Sequence, residues 1–127
     1  MKSETYVKGM QVRREMLGDE YVDNALRNAD QYSLPFQDLA IEYCFGSIWA
    51  RDQLPRRIRS LVNVGMLVAL GKPHELEIHL AMALRNGCTK EELSEVLLQA
   101  TVYCGMPAGS AAFRIARQVF ENHPEAV

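Results

Sequence analysis

The sequence predicts an all-α protein. Apolar residues recur at three- and four-residue intervals along almost the whole chain, and no stretch alternates as a half-buried strand would. Pro55, Pro73, Gly18, Gly71 and Gly87 stand where helices would start and stop. The 127 residues show no internal repeat or low-complexity linker, so one domain covering residues 1–127 is expected.

Each helix has its own justification. ETYVKGMQVRREMLG closes at Gly18, and DEYVDNALRNADQY follows with an acidic start that suits a positive helix N-terminus. SLPFQDLAIEYCFGSIWAR offers Ser33 as a cap and Pro35 in the first turn. Its buried face is predicted from the spacing of Phe36, Leu39, Ala40 and Tyr43. In LPRRIRSLVNVGMLVALGK, Pro55 opens and Gly71 closes a helix with few polar positions around its wheel. Such a helix is central, covered by its own fold or by another subunit. Arg56, Arg59 and Asn63 form its polar stripe, which has to face water, a pocket or a partner. PHELEIHLAMALRNG starts on proline and ends at Gly87. TKEELSEVLLQATVYCG opens with Thr89 and Glu92 at the spacing of a capping box, and MPAGSAAFRIARQVFENHP makes the last helix.

Composition narrows the function. Hydrophobic residues make up 48% and charged residues 24%, the balance of an ordinary soluble globular protein. A formal net charge of −2 argues against a nucleic-acid partner. MKSETYVKGM lacks the apolar stretch of a signal peptide, and the apolar run Met66 to Leu70 is far short of a membrane span. A cytoplasmic location is therefore expected. Cys44, Cys88 and Cys104 have no C-x-x-C spacing, so they are expected to be small apolar core residues rather than a redox or zinc site.

The seven residues PHELEIH carry the most chemistry. They look like a zinc-protease helix, but His74 and His79 are five apart, which turns them about 140° from each other. They cannot share an ion from a regular helix, so no metal is expected. Glu75 and His79 are four apart, only about 40° out of phase. From spacing alone this is either a surface i,i+4 pair or an acid–base pair in which the carboxylate raises the imidazole pKa and orients the ring. A second cluster, WARDQLPRRIR, gathers Arg51, Arg56, Arg57 and Arg59 at a helix start. It is either solvated and neutralised by acids such as Asp52 or a carboxylate site. Arg59, projecting from an otherwise apolar helix, is the strongest candidate.

These residues also carry a resemblance. GSIWAR, LPRRIRSLV, ELEIH and NGCTKEELSEVLLQATVYCGMPAGSAAF, with GMQVRREMLGDEYVD at the start, resemble the gamma-carboxymuconolactone decarboxylases across nearly the whole chain. That family shares its helical fold with alkylhydroperoxidase D. The alkylhydroperoxidase branch carries C-x-x-C followed by a histidine. Here His79 takes the histidine place and Glu75 stands where the second cysteine would be, which argues against dithiol peroxidase chemistry. ELEIH fits the decarboxylase branch.

The resemblance implies a cofactor-free decarboxylation of 4-carboxymuconolactone to 3-oxoadipate enol-lactone, in the protocatechuate branch of the 3-oxoadipate pathway. It implies that His79, oriented and kept charged by Glu75, delivers the proton, and that Arg51 and Arg59 hold the spared carboxylate and the developing oxyanion. Trp49 and Tyr103 are either pocket walls or core. A homo-oligomer, trimer or hexamer, is also implied. Tyr43 and Ser47 stand where the family tends to have histidine and aspartate, and Ser110 near its asparagine, so these positions bear on the substrate. A related lyase or isomerase on another small carboxylated compound is the second reading, and a non-catalytic oligomeric protein the third.

Overall fold

A computed structural model describes all of residues 1–127, and the chain is helical with no strand. It forms two compact units, Met1–Leu54 and Pro55–Val127.

The first unit holds α1 (Glu4–Leu17), α2 (Asp19–Arg27) and α3 (Leu34–Leu39), which runs directly into a π-helix (Ala40–Trp49). The Ser3 hydroxyl caps α1 by accepting the Tyr6 N–H at 3.0 Å. In the wider turn of the π-helix the Ala50 N–H reaches back five residues to the Phe45 carbonyl, at 3.0 Å. This helix lies against α1 with almost nothing between the backbones. A Cβ on Gly9 would sit 1.9 Å from the Ile41 carbonyl oxygen, and one on Gly46 would sit 2.3 Å from that of Thr5. Only hydrogen fits at either place.

That contact decides which side of the π-helix is covered. Ile41, Phe45 and Trp49 are buried, together with Val12, Met16 and Val22. The predicted face is the wrong one: Phe36 is 67%, Leu39 61% and Tyr43 64% exposed. Gly46, pressed against α1, turns the side that bears Ile41, Phe45 and Trp49 inward instead. Ser33 is also not a side-chain cap. Its hydroxyl instead accepts the Asp30 N–H at 2.9 Å, within a turn in which Asp30 accepts from the Tyr32 and Ser33 amides.

Arg13 is buried in this unit, only 6% exposed. Its Nη1 donates to Gln37 Oε1 at 2.9 Å, and its guanidinium lies 5.7 Å from the centroid of the Phe45 ring.

The second unit holds α4 (Arg56–Leu70), α5 (Pro73–Arg85), α6 (Lys90–Cys104) and α7 (Met106–Glu121). α4 packs against all three of the others, as its apolar wheel predicts. Gly71, at φ 66°, takes the left-handed conformation that ends α4. The capping box of α6 is formed: Thr89 Oγ1 accepts the Glu92 N–H at 3.0 Å, and Glu92 accepts the Thr89 N–H at 2.9 Å. Glu92 also pairs with Arg57, and these contacts, the Thr89 backbone bond first, hold its pKa below the usual carboxylate range. Val64, Val68, Leu80, Leu93, Leu97 and Ala112 centre the core. One side of α4 stays open, with Val62, Met66 and Leu70 at least half exposed.

Of the cysteines only Cys88 is core. Its thiol donates to the Arg57 carbonyl at 3.2 Å, and burial pushes its pKa up to about 11. Cys44 and Cys104 are exposed, against expectation. No helix is long and apolar enough to cross a membrane.

Candidate active site

α4 and α5 run antiparallel, and two polar contacts fix their register. Asn86 Nδ2 donates to Ser60 Oγ at 3.0 Å, and Asn63 Nδ2 lies 3.2 Å from His79 Nδ1. Moving along α4 from 60 to 63 thus moves back along α5 from 86 to 79. Arg59 stands one turn before Asn63 on the same face of α4, toward the C-terminal end of α5. Glu75 stands one turn before His79, at the other end. The polar stripe of α4 and the glutamate–histidine pair of α5 therefore share one seam, in the order Glu75, His79 with Asn63, Arg59.

The electrostatics of the seam depart from the sequence reading. His79 is half-buried, and that burial lowers its pKa below the ordinary imidazole value despite the opposing pull of Glu75. Burial thus favours the neutral ring, whereas the resemblance implies a charged one. Glu75 is exposed and acts on the ring through its charge, while the side-chain contact to the ring comes from Asn63. The physical reason is that a carboxylate facing water is screened, whereas the desolvation of the ring is not.

Arg59 is half-buried, and its Nε is fully shielded from water without any acceptor. A shielded guanidinium N–H with no protein partner is costly unless a ligand completes it. A planar carboxylate is the group its fork geometry fits best.

The remaining predicted residues fall elsewhere. Tyr103 is 83% exposed and lines an open groove between α4 and α6 with Val62, Met66 and Gln99, a groove that none of Arg59, Asn63 and His79 lines. Trp49 is 4% exposed in the first unit, so it belongs to the core rather than to a pocket wall. Arg51 is exposed in the segment that follows the π-helix. Tyr43, Ser47 and Ser110 are exposed, and the Ser47 hydroxyl donates to the Glu42 carbonyl of its own helix at 3.3 Å. His74 is exposed in the first turn of α5. Nowhere do three His, Cys, Asp or Glu side chains converge as a metal-holding set.

Residues 35–118, which include the whole of α4 and α5, match the model of the carboxymuconolactone decarboxylase family. The chain belongs to that family. Two relatives illustrate its range. A 4-carboxymuconolactone decarboxylase of Acinetobacter baylyi is 40% identical over 92% of this chain and 87% of its own length. A nitrosuccinic acid decarboxylase of Metarhizium robertsii is 38% identical over 91% of this chain and 80% of its own length. Both carry the name of a decarboxylase, on chemically different acids. Within the carboxymuconolactone decarboxylase family, then, likeness at this level accommodates more than one acid.

Proposed function

We propose that this family member removes CO₂ from 4-carboxymuconolactone, giving 3-oxoadipate enol-lactone without metal or organic cofactor. The observation that carries the reading is an arginine whose buried Nε has no acceptor, one helical turn along α4 from the asparagine that contacts a half-buried imidazole. The likeness to the Acinetobacter enzyme over most of both chains supplies the substrate.

The chemistry follows from what the seam offers. The bond from the ring carbon to its carboxylate breaks, and the electron pair runs through the neighbouring C=C to the lactone carbonyl. Negative charge builds on that oxygen. A neutral imidazole N–H is a suitable donor there, because it stabilises the charge without having to be charged itself. Arg59 holds the carboxylate that is not lost. One proton is taken up at the α-carbon, entering from solvent through the half-open seam. In this reading His79 serves as the oxyanion donor rather than as the charged proton source that the resemblance implies, because burial favours its neutral form.

The Metarhizium relative favours a second reading. An acid bearing a nitro group beside the departing carboxylate meets the same demand, since the electron pair then runs into the nitro oxygens. The two share a dicarboxylic substrate with one carboxylate activated by an electron sink. Val62, Met66 and Leu70 on α4, with Leu98 and Val102 on α6, form exposed apolar stripes that support assembly of identical chains into a trimer or hexamer.

The test is CO₂ release by the purified protein from each compound, with no metal or cofactor added. Turnover of the lactone with the higher kcat/KM is expected. Turnover of nitrosuccinate alone would favour the second reading, and release from neither would overturn both.

A further inference from the structure

The polar stripe of α4 holds a residue whose part in the chemistry is so far only geometric. We propose that Asn63 is the positioning residue of the site: its amide N–H donates to His79 Nδ1, which holds the ring in the tautomer that carries its proton on Nε2 and aims that N–H at the substrate. The inference rests on the decarboxylase reading for its catalytic consequence, but not for its geometry.

Three observations converge. The contact itself is 3.2 Å, between side chains of different helices sixteen residues apart. It is the hydrogen bond that the protein makes to this ring, and Nδ1 is the nitrogen engaged, so Nε2 remains for a ligand. The contact is also braced by the register of the two helices, because Asn86 ties to Ser60 at 3.0 Å one turn along α4. Finally, the desolvation of the ring favours the neutral form, which has one N–H to give. With Nδ1 occupied as an acceptor, that N–H must be on Nε2.

The charged surroundings do not reverse this. α5 packs against α4 and α7. α4 presents Arg59 on the turn next to Asn63, with Arg56 further along the same stripe, and α7 carries Arg114 and Arg117. The one charge that acts appreciably on the ring is Glu75 of its own helix, and burial outweighs it. Glu75 is thus left as a modest electrostatic bias, and orientation belongs to Asn63.

The experiment is ¹⁵N NMR of the His79 ring together with pH–rate profiles of the wild type, Asn63→Ala and Asn63→Asp. Wild-type His79 should show a pyrrole-type nitrogen at Nε2 and a pyridine-type nitrogen at Nδ1. In Asn63→Asp the new carboxylate can only accept, so it draws a proton onto Nδ1 and raises the proton affinity of the ring. The acid limb of the profile should then move to higher pH, and kcat at neutral pH should fall by about 10- to 100-fold with little change in KM. Asn63→Ala should lose less, with its tautomers mixed. A merely structural role would lower stability and leave the acid limb in place.

A wild-type ring protonated on Nδ1, or an unmoved limb in folded Asn63→Asp, overturns the proposal. If Asn63→Asp does not fold, the wild-type spectrum alone decides. If the tautomer is as stated but neither acid is decarboxylated, the functional reading fails and the positioning of the ring stands.

Discussion

Two helix seams, one in each compact unit, contain an arginine whose Nε is buried without an acceptor. In the first unit Arg13 is sealed in, 6% exposed, with Gln37 on one nitrogen and the Phe45 ring beneath it. In the second Arg59 is half-buried, and no side chain of the protein answers it. The first seam is closed by backbone contact through Gly9 and Gly46. The second is held apart by side chains, with the Asn63–His79 contact at its middle. A guanidinium surrounded by its own chain is part of the packing. One left half-open, on the same stripe of α4 as the Asn63–His79 contact, is the one we propose for a substrate carboxylate.

The hardest way to break the comparison is at the closed seam. Gly9→Ala places a methyl group 1.9 Å from the Ile41 carbonyl, so the two helices must separate. We expect a loss of about 3 kcal/mol or more in urea unfolding. A variant as stable as the parent would show that the backbones are not in contact.

The arginines sharpen the comparison directly. Arg13→Ala should cost about 2 kcal/mol of stability, from the lost Gln37 bond and ring contact, with KM unchanged in the folded fraction. Arg59→Met should do the reverse, raising KM by about 10- to 100-fold while leaving the unfolding midpoint in place. Equal effects of the two changes would erase the distinction.

The pH dependence gives the finest test. A ring whose folded pKa is depressed is neutral above that pKa. Activity should therefore be flat at neutral pH and fall as pH drops below the ordinary imidazole range. The stability linked to the same ring is present above its unfolded pKa and is lost as pH falls through the folded one. A profile that instead declines as pH rises through the neutral range would mean that the imidazolium is the working form.

Much of this was legible beforehand. Pro55, Gly71, and the Thr89–Glu92 capping box are local signals, and each marks a helix end in the structure. The spacing of Glu75 and His79 put both on one face, and the polar stripe of α4 singled out Arg59 and Asn63 together. What the sequence did not disclose depends on partners far along the chain. Gly46 meeting Thr5, far away in the chain, sets the buried face, which the spacing of Phe36, Leu39, Ala40 and Tyr43 did not contain. The Asn63–His79 contact needs the antiparallel register of α4 and α5, which no spacing within either helix contains. The net direction of the His79 pKa depends on how deeply the ring is buried, which outweighs the upward pull that Glu75 does exert. Trp49 was open to two readings, and its burial makes it core.

The central claim is that the α4–α5 seam performs the chemistry, and α5 supplies its own control. His79 sits in the seam, while His74 is exposed about 140° around the same helix. The measurement is the rate of CO₂ release at saturating lactone for His79→Ala and His74→Ala, each checked to be folded. His79→Ala should lower kcat by about 10²- to 10³-fold, the usual cost of losing an oxyanion donor, and His74→Ala should turn over like the parent. Full activity in His79→Ala, with or without loss in His74→Ala, would contradict the account.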